Sequence, residues 1–293
     1  MRERKIAAAP ISWGVCEVPD WGAQLTVDRV LSEMRELGLE ATEAGPVGYL
    51  GDDATTVVEA LARHDLQLVG GFVPVVLHDS CQKASLAAAA QSAELFEATG
   101  ARFLVSAIVV DPAWSPPRPL DRSEWKRVFE GLERLDEMAL QHGLTHVVHP
   151  HWGTLVERRD DVHRVLESSE ALLCLDTGHL SLGGTDPATL ARDAAERVAH
   201  VHLKDISDDI AARLRTGELD YVPAIQQGVF RLLGTGAAHV AETIGALESA
   251  GYDGWYVLEQ DLSLPSDVGP GSGPIEDVRR SIDFLRGFAD ARS

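Results

Sequence analysis

Eight short runs of apolar and β-branched residues, each followed by a longer segment of helical period, succeed one another along this chain. The strand-like runs are KIAAAPISW, LEATEAG, LQLVGGFVPV, ARFLVSAIVV, THVVHPHW, ALLCLDTGH, VAHVHLKDI and WYVLEQD. Between them, VDRVLSEMRELG, TTVVEALARHD, ASLAAAAQSAELFEATG, SEWKRVFEGLERLDEMALQHG, RDDVHRVLESSE and ATLARDAAERV repeat apolar residues at about i, i+3, i+4 and i+7, the stripe of one helix face. Gly38, Gly100, Gly143 and Gly251 stand where helical segments stop, just past a helix end. Strands that alternate with helices, without hairpin signals, are parallel neighbours joined by crossovers. Eight such units predict one closed (β/α)8 barrel over residues 1–293, an α/β fold of a single domain. The competing open, doubly wound sheet would carry GxGxxG after its first strand, and none stands there.

Three loops exceed a simple turn. Residues 207–235 follow strand seven and contain a helical piece, IAARLRTG, which predicts an excursion over the barrel mouth. Residues 112–119 (PAWSPPRP) form a stiff loop after strand four, and residues 262–274 follow strand eight, ahead of a C-terminal helix at about 275–290.

Charge narrows the partners. With 26 Lys plus Arg against 46 Asp plus Glu, the net charge is −20, which repels nucleic acid phosphates and anionic membrane surfaces. Neither is expected as a partner, and no apolar run approaches the ~18 residues of a membrane span. Cys16, Cys81 and Cys174 are too scattered for a disulfide framework or a metal knuckle and read as reduced thiols of a cytoplasmic protein. A homo-oligomer is left open.

In a parallel barrel the C-terminal strand ends form the active face. Here strand five ends His149-Pro150-His151, strand six Asp176-Thr177-Gly178-His179, strand seven His200-Val201-His202-Leu203-Lys204-Asp205, and strand eight Glu259-Gln260-Asp261. Mixed imidazole and carboxylate donors suit a divalent ion, Mn2+, Co2+, Zn2+ or Mg2+. Asp176, His202 and Glu259 follow apolar runs that bury them, and a shared cation removes the cost of a buried carboxylate. His149 and His151 lie on one strand face, as do His200, His202 and Lys204. Blander roles compete for several of these residues. Asp205 and Asp261 read equally as helix caps, Lys204 as a charge at the rim, and His200 as a core histidine or a support behind the ligands. His64, His142, His163 and His239 read as surface residues.

LCLDTGHL, HVHLKDI and GYDGWYVLEQD resemble the strand six, seven and eight signatures of the xylose-isomerase-like barrel superfamily, which includes sugar isomerases, ketose 3-epimerases and endonuclease IV. The opening APISWGVCEVPDWGAQLTVDRVLSEMRELGLEATEAGPVGYL, with VVHPHWGTLVE, is similar to the narrower inosose dehydratase family. The resemblance implies a divalent metal, Mn2+ or Co2+ foremost, held by a strand-five group, Asp176, His202 and Glu259. Where many relatives read Glu-Pro-His, this chain reads His149-Pro150-His151, so alignment gives His149 the ligand place, with His151 the alternative. It further implies substrate contacts from His179, Trp13 and Glu43. A second departure is Gly234-Thr235-Gly236-Ala237-Ala238 where the superfamily has Gly-Glu-Gly and an acid. The implied chemistry is α-proton removal from a chelated ketone through an enediolate, followed by loss of a β-hydroxyl from a keto-polyol such as 2-keto-myo-inositol. In that reaction Glu259 is the base, and His149, His151 or Lys204 the acid. Isomerisation or epimerisation of a non-phosphorylated ketose is the alternative.

Overall fold

The structure is a computed structural model that describes residues 4–290. Eight parallel strands form the barrel: β1 (Lys5–Ala8), β2 (Ala41–Thr42), β3 (Gln67–Leu68, resuming as Gly70–Val75), β4 (Phe103–Ile108), β5 (Thr145–Val148), β6 (Leu172–Asp176), β7 (Val198–Leu203) and β8 (Trp255–Leu258). Hydrogen-bonded neighbours run β3, β2, β1, β8, β7, β6, β5, β4, β3, and the two ends of that order are the two halves of β3. Gln67–Leu68 pairs with β2, and Gly70–Val75 pairs with β4. Between them the Val69 N–H donates to Thr42 O (2.9 Å), while Val69 O accepts from Phe103 N (3.1 Å). One residue thus joins the ring.

Around the strands lie α1 (Val27–Glu36), α2 (Ala54–Arg63), α3 (Gln82–Ala98), α4 (Arg122–Gln141), α5 (Arg159–Ser168), α6 (Thr177–Leu182), α7 (Pro187–Asp193), α8 (Asp208–Arg215), α9 (Tyr221–Gln226), α10 (Val240–Ser249) and α11 (Pro274–Asp290). Local chemistry sets their ends. Asp121 accepts from the N–H groups of Ser123 (2.7 Å) and Glu124 (2.8 Å), and Glu124 returns a bond to Asp121 N, a capping box of about 1 kcal/mol that starts α4. Gly38, Gly100, Gly143 and Gly251 follow α1, α3, α4 and α10 with φ of 76°, 75°, 68° and 93°, the left-handed stops expected from the sequence.

Two apolar layers result. The outer one, with Leu31, Met34, Leu132, Leu135, Leu173 and Leu285, fills the space between sheet and helices. The inner one is small: Ala7, Ala9, Ala41, Val69, Phe103, Val105, Val147, Cys174 and Val257. Strand period two then decides what stands above it, because Val147, Cys174 and Val257 are followed two residues later by His149, Asp176 and Glu259. The barrel axis thereby changes from apolar to polar within one side-chain layer.

Three expectations shift in detail. The first strand stops at Ala8, because Pro10–Trp13 turns into a short 3-10 helix closed by Gly14 at φ 79°. Thr177-Gly178-His179 opens α6 instead of extending β6, since Asp176 caps that helix. The excursion holds α8, α9 and a short antiparallel pair, Asp205–Ile206 with Phe230–Arg231, too brief to leave a period-two signal. Asp205 is no helix cap. Its carboxylate accepts from the N–H groups of Gly234, Gly236 and Ala238 (2.9 Å each) and of Ile206 (3.0 Å), fastening the far end of the excursion to the end of β7. A Cβ at Gly236 would strike Asp205 and the Ile206 carbonyl, so that loop position requires glycine. Among the described residues no helix is long and apolar enough to cross a membrane, and all three cysteines are unpaired.

Candidate metal centre

His149, Asp176, His202 and Glu259, from four consecutive strands or the residues that follow them, each offer one donor atom, and these atoms lie within 4.8 Å of one another. Asp176 divides its carboxylate. Oδ1 accepts from His179 N (2.8 Å) and caps α6, while Oδ2 faces His149 Nε2 and Lys204 Nζ, each at 3.4 Å. His202 Nδ1 lies 2.6 Å from Glu259 Oε2, and His149 Nδ1, also buried, has no hydrogen-bond partner. Crowded lone-pair donors of this kind face a common centre better than they face one another. Two imidazoles and two carboxylates fit a divalent ion of the Mn2+, Co2+ or Zn2+ type. The Glu259 side chain is 13% exposed against 0–1% for the other three, so Glu259 faces the opening.

Behind His202 stands a further carboxylate. Glu43 Oε1 accepts from His202 Nε2 (3.0 Å) and from His200 Nε2 (2.7 Å), and His200 stacks on Phe103 with ring centroids 4.5 Å apart. Burial opposes the Glu43 charge, but His202 and His200 outweigh it and hold the carboxyl at about 2. Glu43 is thus buried and held against the His202 and His200 imidazoles. His200 is a support behind the ligands, not an isolated core histidine. Such supports affect metal affinity about 10- to 100-fold. Glu43→Gln should weaken divalent-ion binding on that scale by calorimetry, and unchanged affinity would remove the role.

Lys204 is 1% exposed, not a rim charge. Burial alone would discharge it. Asp176 (3.4 Å), Asp261 (2.9 Å) and Glu259 (2.7 Å) instead hold its ammonium well above the usual range. Asp261, expected as a cap, is its partner, and also accepts from Tyr221 OH (2.8 Å) of α9. Trp13 is fully buried, and its Nε1–H donates to Glu33 Oε2 (2.8 Å), so its polar atom is not available to substrate. His151 stands one step above the cluster, its ring 3.8 Å from that of His179. Its Nδ1 meets Trp152 O at 2.7 Å, which makes Nδ1 the protonated nitrogen and leaves Nε2 an acceptor. Burial, His149 and Lys204 push its pKa down to about 3, which favours the neutral imidazole. Burial and the neighbouring His151 and Lys204 likewise lower His179.

An aromatic wall completes the mouth. Phe72 stacks on Trp114 (6.1 Å) and lies 5.9 Å from the His149 ring, while Tyr221 and Phe230 of the excursion lie 6.4 and 5.7 Å from that of His179. The sequence marked the two loops that carry Trp114, Tyr221 and Phe230, but no period singles out their aromatics. A cavity of about 380 Å³ bordered by Phe230, Gln260 and Arg280 is lined by none of His149, Asp176, His202 and Glu259. His64, His142 and His239 pair with Asp28, Glu97 and Asp186 away from the mouth.

A family model described as xylose isomerase-like TIM barrel matches residues 31–288. The chain is 31% identical to inosose dehydratase of Geobacillus kaustophilus over 88% of its own length and 87% of that protein. It is 30% identical to the rhizopine catabolism protein MocC of Rhizobium meliloti, with 88% and 81% covered. Among solved structures it is similar to an L-ribulose 3-epimerase (TM-score 0.71, 16% identity, 99% and 95% covered) and to the IolI protein with a bound zinc atom (TM-score 0.69, 14% identity, 97% of each covered).

Proposed function

Because the chain belongs to the xylose isomerase-like TIM barrel family, we propose that it is a divalent-metal-dependent dehydratase of a neutral keto-polyol, with 2-keto-myo-inositol (inosose) as the leading substrate. The observation that carries the reading is the donor cluster with one carboxylate, Glu259, turned toward the opening. Inosose dehydratase relatives at 25–31% identity support the substrate.

Held by His149, Asp176, His202 and Glu259, the ion would supply Lewis-acid polarisation of a carbonyl. The remaining chemistry belongs to side chains. Glu259, kept ionised by His202 and Lys204 against the cost of burial, removes the proton next to the carbonyl. Returning that proton to the opposite face, as an epimerase must, calls for a second base across the mouth. The strand-five place holds His149, bonded at Nε2 to Asp176, instead of a carboxylate. Elimination needs only an acid for the departing hydroxide, and the Lys204 ammonium, 2.7 Å from Glu259, provides it. Neutral His151 accepts a substrate hydroxyl at Nε2 and orients it.

Substrate neutrality has its own support. Lys204, the single cation among the mouth side chains named above, already faces three carboxylates. The glycine-rich segment after β8, the one place resembling a phosphate cradle, is tied to the protein's own groups. Gly271 N–H donates to Glu33 Oε1 (3.1 Å), and Arg29 bonds Glu33, Asp267 and the Val268 and Gly269 carbonyls.

The test is dehydration of 2-keto-myo-inositol by metal-stripped protein with Mn2+, Co2+, Zn2+ or Mg2+ restored singly, followed by mass spectrometry beside a panel of free and phosphorylated ketoses. Loss of water from inosose only with ion present is expected. Turnover without ion, or preferred isomerisation of any ketose, overturns the assignment.

A further inference from the structure

A second set of donors lies one layer deeper and shares two members with the first. Cys174 precedes Asp176 by two residues on β6, so strand alternation puts its thiol on the same inner face, nearer the barrel floor. It is fully buried beside Val147 and Val257. Its sulfur and one ring nitrogen from each of His149 and His202 form a group whose atoms lie within 4.8 Å of one another. Both imidazoles are buried; Nδ1 of His149 has no hydrogen-bond partner, and Nδ1 of His202 faces the carboxylates of Glu259 (2.6 Å) and Asp176 (3.8 Å). An apolar core has no use for such atoms, whereas a ligand completes them.

We propose that the barrel offers one ion two alternative positions: an upper, oxygen-rich one at His149, Asp176, His202 and Glu259, and a lower, thiolate one at His149, Cys174 and His202 that takes soft ions of the zinc group. Ion hardness selects between them. Mn2+ and Mg2+ gain little from sulfur and stay with the carboxylates, while Zn2+ and still softer ions bond thiolate strongly. Binding below replaces the thiol proton, which leaves to solvent, with a metal–sulfur bond, and nothing is oxidised or reduced. Because His149 and His202 serve both positions, occupancy is exclusive and the chain holds one ion at a time. An ion in the lower position is withdrawn from Glu259 and the mouth. None of this depends on the identity of the substrate.

Cadmium is a readable soft probe, since a cadmium–thiolate bond absorbs in the ultraviolet. Full-length, metal-stripped protein is titrated with Cd2+ alone, and then with Cd2+ after loading with Mn2+, while released Mn2+ is followed by electron paramagnetic resonance. Expected are one Cd2+ per chain, a charge-transfer band and one Mn2+ released for each Cd2+ bound. Cys174→Ser and Cys174→Ala should lose the band and bind Cd2+ about tenfold more weakly or worse, while keeping the parent's Mn2+ affinity, which also certifies their fold. Cys16 and Cys81 remain in every variant, so the difference reports Cys174 alone. Absence of the band in the parent, a second Cd2+ held with Mn2+ retained, unchanged Cd2+ affinity in the variants, or equal loss of Mn2+ and Cd2+ would each overturn the second position.

Discussion

Glu259→Gln should lower kcat/KM on inosose by about a thousandfold or more, the upper range for removal of a positioned general base. The amide keeps the shape of the side chain but cannot take a proton, and it offers a poorer donor to the ion. Measuring the bound metal in the same sample separates the two effects. With metal restored at saturating concentration, the loss should persist in kcat, and exchange of the substrate α-hydrogen with deuterated solvent should cease. Exchange that continues in Glu259→Gln would move the base to Lys204 or His149.

Lys204→Met should produce the largest change in stability. It leaves Asp176, Glu259 and Asp261 buried around a methyl group, and breaking a buried ion cluster in this way costs about 3–5 kcal/mol. At roughly 2–4 °C per kcal/mol for a chain of comparable size, the metal-stripped protein should melt about 6–20 °C lower. Adding Asp261→Asn removes one of the stranded charges and should restore part of the loss, whereas a second substitution at the distant Asp28 should not. Turnover should fall as well, for want of the acid. A stripped Lys204→Met protein as stable as its parent would show that the three carboxylates do not depend on the ammonium.

The barrel and the four donors were legible because both rest on period. Alternating strand and helix signals fix a parallel ring, and a polar residue two places beyond Val147, Cys174 or Val257 must stand directly above it on the same inner face. What surrounds the donors was less legible. Glu43 follows β2, a strand of only two residues, and its bonds to His200 and His202 span more than 150 positions of sequence. Lys204 looks like any charge at a strand end until the excursion folds over it, and Asp261 looks like a cap until Lys204 and Tyr221 are found on it. The protonation of His151 turns on one backbone carbonyl, Trp152 O, which no residue pattern announces.

The bonds of Asp205 bear on how the protein can change. One carboxylate grips both ends of the excursion, at Ile206 and at Gly234, Gly236 and Ala238. The intervening chain is therefore a cassette, and lengthening or exchanging it between those anchors leaves the ends of β6, β7 and β8 where they are. Tyr221 and Phe230, whose rings lie against His179, are inside the cassette, and the four donors lie outside it. Under the proposed function, the aromatic wall and the donor cluster thus lie on separable stretches of sequence, so that one can drift, or be transplanted, while the other is inherited intact.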